Sequence, residues 1–288
     1  MKLGIGIPAS IPNTSADLLF EWARRSDEKG FSSLGIIDRL VYPNYEPMIT
    51  LAAVSPVTKR IRLMTTVLVA PIRNTAILAK EAASLDRLSG GRLTLGFGIG
   101  GREDDSLAAK TIHRTRASRF EEQLEVMRRI WSGQALDDRV GKIGPSPVRS
   151  GGPEVLIGGY TPAAASRAGR LGDGFIAGGG IDAKTAASFY KLAEQAWNQA
   201  GKKGKPRFVC SAYYALGPNA AEKGAKYIRD YYAFMGPGAE NVAKGVLSTP
   251  SAVENAVKAF TEAGADELIL WPTIPELEQV NLASNYLK

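Results

Sequence analysis

Short apolar segments alternate with longer amphipathic segments along almost the whole chain, and this alternation is the strongest constraint on the fold. The apolar segments lie at 3–8, 33–38, 61–69, 93–98, 154–157, 174–177, 208–216 and 267–271. Segments of helical periodicity lie at 16–29, 46–58, 75–88, 118–131, 183–199, 222–234 and 251–263. Strands that alternate with helices in this way predict a parallel sheet covered by helices.

The number of strands and the length of the chain favour a closed barrel over an open, doubly wound sheet. The chain has 288 residues and contains eight such strands, and about 250 residues are usual for eight βα units that close into a barrel. No change of composition marks a boundary between two domains. We therefore predict an α/β fold, a single-domain TIM (β/α)8 barrel over residues 1–288 with short insertions.

Composition excludes several classes of protein. Hydrophobic residues make up 44% and charged residues 23% of the chain, and no apolar run approaches the roughly 20 residues that cross a bilayer. We therefore expect a cytoplasmic protein without a membrane partner. The net charge of +7 is spread along the chain, so we expect no nucleic-acid partner. Cys210 and His113 are the single cysteine and histidine, and no metal site is predicted.

The segment 153–176 reads as a strand, a glycine-rich turn, a helix and the next strand. Gly158 and Gly159 end the strand, Thr161 is placed to cap the helix, and Pro162 suits its first position. Such a turn brings backbone N–H groups and the positive end of a helix dipole to one point, where a phosphate binds. A tight turn with glycines for packing explains the same residues, and the segment alone does not separate the two interpretations.

The carboxyl ends of the strands are where a barrel of this kind holds its functional groups. Few residues there are suited to proton chemistry, and the acidic residues 103–105 are best explained as partners of a helix dipole. Glycines are frequent at these ends. They predict room for a broad planar ligand, and together with the turn of 153–176 they point to an organic cofactor that carries the chemistry.

Four segments, at 85–104, 118–133, 153–176 and 249–270, resemble successive signatures of the bacterial luciferase-like superfamily. The resemblance extends over nearly the whole chain in the correct order. It implies a TIM barrel and an oxidoreductase that depends on a flavin or a deazaflavin.

The resemblance also implies which residues bind the cofactor. Its phosphate site corresponds to the strand end and turn after the fifth strand, and an arginine that opens a long helix corresponds to Arg119. A non-proline cis peptide in the third strand, against the flavin ring, corresponds to Thr66 and Val67. Backbone at 98–101 is expected to border the cofactor, and Arg102 is placed to reach an anionic group. The predicted cofactor-binding residues are Thr66, Val67, Gly98, Gly100, Arg119, Gly158, Gly159, Tyr160 and Thr161.

The pair that follows the second strand departs from the family pattern. Many members have Asp-His there, whereas this chain has Asp38 and Arg39. Arginine stays protonated and cannot act as a base, so we predict that Arg39 stabilises negative charge and assign Asp38 and Arg39 as the catalytic residues. An ion pair between the two that merely holds the loop is the alternative. Tyr42 and Trp271 are the predicted substrate contacts. The chain has little room for a long insertion after the seventh strand.

These expectations give three hypotheses for function. The first is an FMN-dependent luciferase-like monooxygenase that acts on a small organic substrate with reduced flavin and O2, the flavin being supplied by a separate reductase or reduced in place by NAD(P)H. The second is a hydride-transfer oxidoreductase that depends on the deazaflavin coenzyme F420. The third is a non-catalytic flavin-binding barrel. The resemblance also implies a homodimer formed through helices near the second and third strands.

Overall fold

The computed structural model describes residues 1–287 and contains one closed barrel of eight parallel strands, in sequence order. The strands are β1 (Lys2–Gly6), β2 (Ser33–Ile36), β3 (Arg62–Val69), β4 (Leu93–Gly98), β5 (Glu154–Gly158), β6 (Gly174–Ala177), β7 (Arg207–Tyr214) and β8 (Glu267–Pro272). Pairing of β1 with β8 closes the barrel. The predicted fold class is confirmed.

Eleven α-helices surround the strands within the described chain. They are α1 (Ala16–Lys29), α2 (Pro47–Val54), α3 (Thr75–Leu88), α4 (Glu103–Ala108), α5 (Arg116–Trp131), α6 (Pro162–Leu171), α7 (Ala183–Gln199), α8 (Ala220–Tyr231), α9 (Gly238–Lys244), α10 (Pro250–Glu262) and α11 (Glu278–Ser284). The bounds of α1, α3 and α7 agree with the helical segments read from the sequence. No described helix is long and apolar enough to cross a membrane.

The segment between β7 and β8, residues 215–266, contains three α-helices, α8, α9 and α10. Helix α10 packs against β7 and α7, in the position of the ordinary barrel helix. Helices α8 and α9 are therefore an insertion, and the expectation of little room after the seventh strand is wrong. A chain of this length can contain the α8–α9 insertion because several connections between the other strands and helices are only a few residues long.

Two apolar layers pack on the two faces of the barrel wall. The outer layer joins the strands to the helices and contains large buried side chains such as Trp22, Phe97 and Phe175. The inner layer fills the barrel with Met64, Leu156, Ile176, Val209 and Ile269, and continues towards the mouth through Trp271 and Tyr213. The barrel is therefore a packed core, as is usual for eight strands.

A polar layer closes the barrel at the amino ends of the strands. The Glu267 carboxylate on β8 is 1% exposed; it accepts a hydrogen bond of 2.5 Å from the Ser33 hydroxyl and pairs with Arg207. Arg207 also pairs with Glu154 of β5, whose carboxylate accepts a bond from Thr94 of β4. Residues of five strands thus form one network, in which Ser33, Thr94 and Glu267 are buried and Glu154 and Arg207 are partly exposed.

Replacement of Glu267 tests this network. In Glu267→Gln the amide still accepts from Ser33, but Arg207 loses a buried charge partner, and we expect unfolding free energy to fall by about 3 kcal/mol. Glu276→Gln removes the exposed pair with Lys223 and should cost less than about 1 kcal/mol. Denaturant titration of both variants measures the difference, and equal losses would contradict the account.

Candidate active site

The turn between β5 and α6 has the geometry of an anion cradle. The Thr161 hydroxyl accepts a hydrogen bond of 3.2 Å from the Ala164 amide, and Pro162 is the first residue of α6. A Cβ added at Gly159 would lie 2.5 Å from the Ala164 Cβ, so the strand can turn this closely into the helix because residue 159 is glycine. Within residues 1–287, the amides of Tyr160 and Thr161 are bonded to no acceptor. They lie at the positive end of the helix dipole.

The Tyr160 side chain extends from this turn towards β6. Its hydroxyl donates to the Gly179 carbonyl at 3.2 Å. A Cβ added at Gly178 would lie 2.0 Å from the same hydroxyl oxygen. Glycine at the end of β6 therefore gives room to Tyr160, whose exposed ring forms part of the barrel mouth.

Val67 connects three strands at the mouth. The peptide bond between Thr66 and Val67 is cis, at the position that the family resemblance implies. The Val67 methyl groups lie between β4 and β5: a Cβ added at Gly98 would be 2.6 Å from one of them, and a Cβ at Gly158 would be 2.7 Å from the other. Four of the predicted cofactor-binding residues thus meet at one place.

The glycines at the strand ends therefore do not leave the room that the sequence analysis expected. Val67 occupies the space beside Gly98 and Gly158, and at Gly100 an added Cβ would lie 2.7 Å from a Val69 methyl group. The prediction that these glycines clear space for a planar ligand is therefore wrong for Gly98, Gly100 and Gly158, because valine side chains occupy that space. Gly101, by contrast, has no atom within 4 Å of such a Cβ.

Asp38 lies beneath the mouth and forms no ion pair with Arg39. Its carboxylate is 3% exposed, pairs with Arg73 at 3.0 Å and accepts a bond of 2.9 Å from the Val69 amide. Burial raises the pKa of Asp38, although Arg73 opposes that shift. The alternative of an Asp38–Arg39 pair is therefore wrong. Asp38 instead joins the ends of β2 and β3, and its catalytic role stays a prediction.

Arg39 lies at the mouth, on the surface of an aromatic cluster. Its guanidinium carbon is 4.2 Å from the centre of the Tyr42 ring and 5.1 Å from that of Tyr231, and its Nη1 donates to the Tyr231 carbonyl at 2.8 Å. Burial lowers the pKa of Arg39, and the charge of Arg102 acts in the same direction. A fixed positive charge therefore stands beside the mouth, held by aromatic faces.

The two predicted substrate contacts lie at different depths. Tyr42 is half-buried and packs edge-on against Tyr231, with ring centres 5.2 Å apart. Trp271 is 3% exposed, and a Cβ added at Gly6 would lie 2.2 Å from its ring. Trp271 thus fills the barrel below the mouth and has little surface for a substrate, whereas Tyr42 has a place beside Arg39.

Arg119 contacts the backbone after β3. Its Nε donates to the Pro71 carbonyl at 2.8 Å. Arg116, and not Arg119, is the first residue of α5, and its Nε donates to the Gly100 carbonyl at 2.9 Å. Both arginines tie α5 to the mouth, and phosphate binding by Arg119 stays a prediction.

The α8 insertion supplies residues that sequence reasoning missed. Tyr227, Tyr231 and Tyr232 extend over the inner layer of the barrel, and the Tyr232 hydroxyl is 2.7 Å from that of Tyr213 on β7. Burial holds the pKa of Tyr213 well above its ordinary value, so its hydroxyl stays protonated. All three tyrosines lie in the segment 222–234 that the sequence analysis predicted as a helix, and their spacing there is the signal by which they could have been found.

The acidic residues after β4 organise loops. Asp105 is buried and accepts bonds from the Leu40 and Val41 amides, at 3.2 and 2.7 Å, while Asp104 pairs with Arg102. The described residues hold no cluster of histidine, cysteine or carboxylate side chains able to bind a metal ion. His113 bonds to the Ser106 hydroxyl at 3.0 Å, outside the aromatic cluster.

Comparison with known proteins identifies the family of this chain. The family model described as luciferase-like monooxygenase matches residues 1–276, and the chain belongs to that family. An F420-dependent hydroxymycolic acid dehydrogenase of Mycobacterium tuberculosis is 31% identical over 213 residues, which are 67% of this chain and 58% of the relative. The chain spans about 60% of the length of the first curated relatives that it matches.

Solved structures of both cofactor classes have the same fold. An F420-dependent secondary alcohol dehydrogenase in complex with an F420-acetone adduct superposes with a TM-score of 0.84 at 18% identity, over 99% of this chain and 98% of the other. The oxygenating constituent of 3,6-diketocamphane monooxygenase from Pseudomonas putida, in complex with FMN, gives 0.75 at 18% identity, over 100% and 97%. The relatives named here are dehydrogenases and a monooxygenase, and none of their names supports the use of NAD(P)H.

The contact of Val67 with the β4 glycine gives a testable prediction. Gly98→Ala places a methyl group against Val67 and should lower the unfolding free energy by about 1–3 kcal/mol. In Gly98→Ala/Val67→Ala the clash is removed, so the double variant should lose less than the sum of the single losses. Gly101→Ala is the control and should change stability by no more than about 0.5 kcal/mol. Additive losses in denaturant titration would show that the two residues are not in contact.

Proposed function

We propose that the protein is an oxidoreductase whose cofactor is a phosphate-bearing flavin or deazaflavin, held with its phosphate at the β5–α6 turn. The observation that supports the phosphate site is the turn itself, where unbonded amides, the Thr161 cap and the close approach at Gly159 coincide. A phosphate at this point gains both hydrogen bonds and the helix dipole. The ring would then lie over the barrel mouth, near Val67.

Deazaflavin F420 is the cofactor that we favour, with hydride transfer as the reaction. The relative of 31% identity is named as an F420-dependent dehydrogenase, which supports this choice over the FMN monooxygenase that sequence reasoning placed first. An FMN-dependent monooxygenase remains the second candidate, because the family model carries that description and an FMN-bound protein shares the fold. That candidate requires a supply of reduced flavin, for which we propose a separate reductase.

The chain's own residues would bind, orient and screen the reactants. The cofactor would supply the two-electron chemistry. Arg39 provides a positive charge that cannot be neutralised near pH 7 and that favours negative charge developing at the mouth. Tyr213 and Tyr232 keep their protons because burial raises the pKa of each. They cover the mouth with aromatic surface and limit the access of water.

Paired substitutions at two similar helix starts test the phosphate site. Thr161→Asp keeps a helix-capping side chain but adds a negative charge, so we expect F420 and FMN to bind about tenfold more weakly or worse, and riboflavin, which lacks the phosphate, to bind as before. Thr249→Asp is the control, because Thr249 caps α10 through the same Thr-Pro arrangement. Fluorescence titration of the three ligands measures the affinities.

The measured affinities distinguish the candidate functions. Tighter binding of F420 than of FMN supports the deazaflavin enzyme, and the reverse supports the FMN monooxygenase. Equal effects of Thr161→Asp and Thr249→Asp on FMN and F420 would contradict the phosphate site. Tight cofactor binding with no reduction by any donor would identify a non-catalytic flavin-binding barrel.

We further propose a homodimer through α2 and α3. Helix α2 is almost wholly apolar, yet its Ile49 is 70% exposed, and Ile77 on the neighbouring α3 is 59% exposed. Apolar side chains gathered on adjacent helices are typical of an interface. A second copy would cover them.

Charge placed on this surface tests the dimer. Light scattering during gel filtration should give a dimer for the natural chain and a monomer for Ile49→Asp, because a carboxylate in the interface would lose its hydration. Val140→Asp, in the exposed loop after α5, should leave the dimer intact. A monomeric natural chain, or a dimer that survives Ile49→Asp, would contradict the assignment.

A further inference from the structure

Two arginines from different loops converge on one aromatic ring at the mouth. The guanidinium carbon of Arg102, after β4, is 4.3 Å from the centre of the Phe234 ring, and that of Arg39, after β2, is 5.7 Å from the same point. Phe234 lies on a short 3-10 turn, Ala233–Met235, that follows α8. Two cationic groups are therefore held close together, although like charges repel.

The hydrogen-bonding capacity of this arginine pair is largely unused. Arg39 donates through Nη1 to a carbonyl, and Arg102 donates through Nη2 to Asp104. Three further nitrogen atoms are buried and bonded to no acceptor among the described residues: Arg39 Nε, Arg102 Nε and Arg102 Nη1. Buried donors are normally satisfied, so three unused donors at one place indicate a ligand that accepts hydrogen bonds.

The charge of the pair is also only half balanced. Asp104 pairs with Arg102, but within residues 1–287 no carboxylate lies within 4.0 Å of Arg39. Two acidic residues of the neighbouring loops are engaged elsewhere, because Asp38 pairs with Arg73 and Asp105 accepts bonds from backbone amides. An anion would supply both the missing charge and the missing acceptors, and a guanidinium group matches a carboxylate in shape.

Aromatic surface adjoins this charged centre. The Tyr42 ring lies against Arg39, and Phe234 is more than half exposed beside Arg102. An organic molecule with an apolar body and an anionic group would match both parts. Phe234 stacks on the guanidinium groups, so its ring would have to move aside, and its exposed position on a short turn makes this displacement feasible.

We propose that Arg39 and Arg102 bind the carboxylate of the substrate, and that the substrate is an organic acid whose apolar part packs against Tyr42 and Phe234. This inference rests on the proposed function, since it assigns the substrate class of the same mouth. It gives Arg39 the task of positioning the substrate. Arg102 becomes a second specificity-determining residue from a different loop.

Benzoate and its uncharged analogue benzamide are suitable probes. Calorimetric titration of the full chain, with and without the bound cofactor, should show benzoate binding at least about tenfold more tightly than benzamide. Arg39→Gln and Arg102→Gln should each weaken benzoate about tenfold and leave benzamide unchanged. The control is Arg24→Gln, on α1, where Arg24 pairs with Glu21 and Glu28; it should not alter either affinity.

Two further measurements keep the outcome decisive. Arg39→Lys keeps the positive charge and should retain more benzoate affinity than Arg39→Gln, and the thermal midpoint of each variant reports whether it folds. Equal affinities for benzoate and benzamide, or benzoate binding unaffected in both glutamine variants, would overturn the inference. Cofactor binding is measured separately in the same samples. If benzoate binding fails these tests while the cofactor still binds, only the carboxylate site is rejected. If the natural chain binds neither F420 nor FMN, the proposed function is rejected.

Discussion

The limited space inside a closed barrel of eight strands is the constraint on which the rest of the structure depends. The largest side chains that point inwards therefore need small neighbours. Trp271 fills the barrel where Gly6 has no side chain, and Val67 lies where Gly98 and Gly158 have none. The glycines Gly98 and Gly158 at the mouth are therefore needed for the packing of Val67, whether or not a cofactor binds there. A cofactor held at the mouth would contact the surface that Val67 and its neighbours form.

Two sites of positive potential lie at this mouth, and the positive charge has a different source in each. The β5–α6 turn uses backbone amides and a helix dipole, positioned by the Thr161 cap and by the close contact at Gly159. Arg39 and Arg102 use formal charge, held by aromatic rings. The first suits a cofactor phosphate, and the second suits the anionic group of a substrate. A cofactor at one and a substrate at the other would meet over the barrel.

Local patterns predicted the parts of the structure that local interactions decide. All eight strands, the Thr161 cap and the place of the cis peptide after Thr66 could be predicted from the sequence or from its family resemblance. Contacts between distant segments could not. Nothing in the sequence near Asp38 shows that Arg73 is its partner, and the α8 tyrosines reach the mouth only because α10 takes the ordinary helix position. Phe234 was also missed, because its contacts with Arg39 and Arg102 join segments that are far apart in the chain.

Crystal structures of the protein grown with F420 and with FMN would locate the cofactor phosphate. We expect phosphate density within hydrogen-bonding distance of the Tyr160 and Thr161 amides, with the ring system over Val67. Phosphate density at another helix start, such as that of α10, or a ring system away from the barrel mouth, would contradict this expectation.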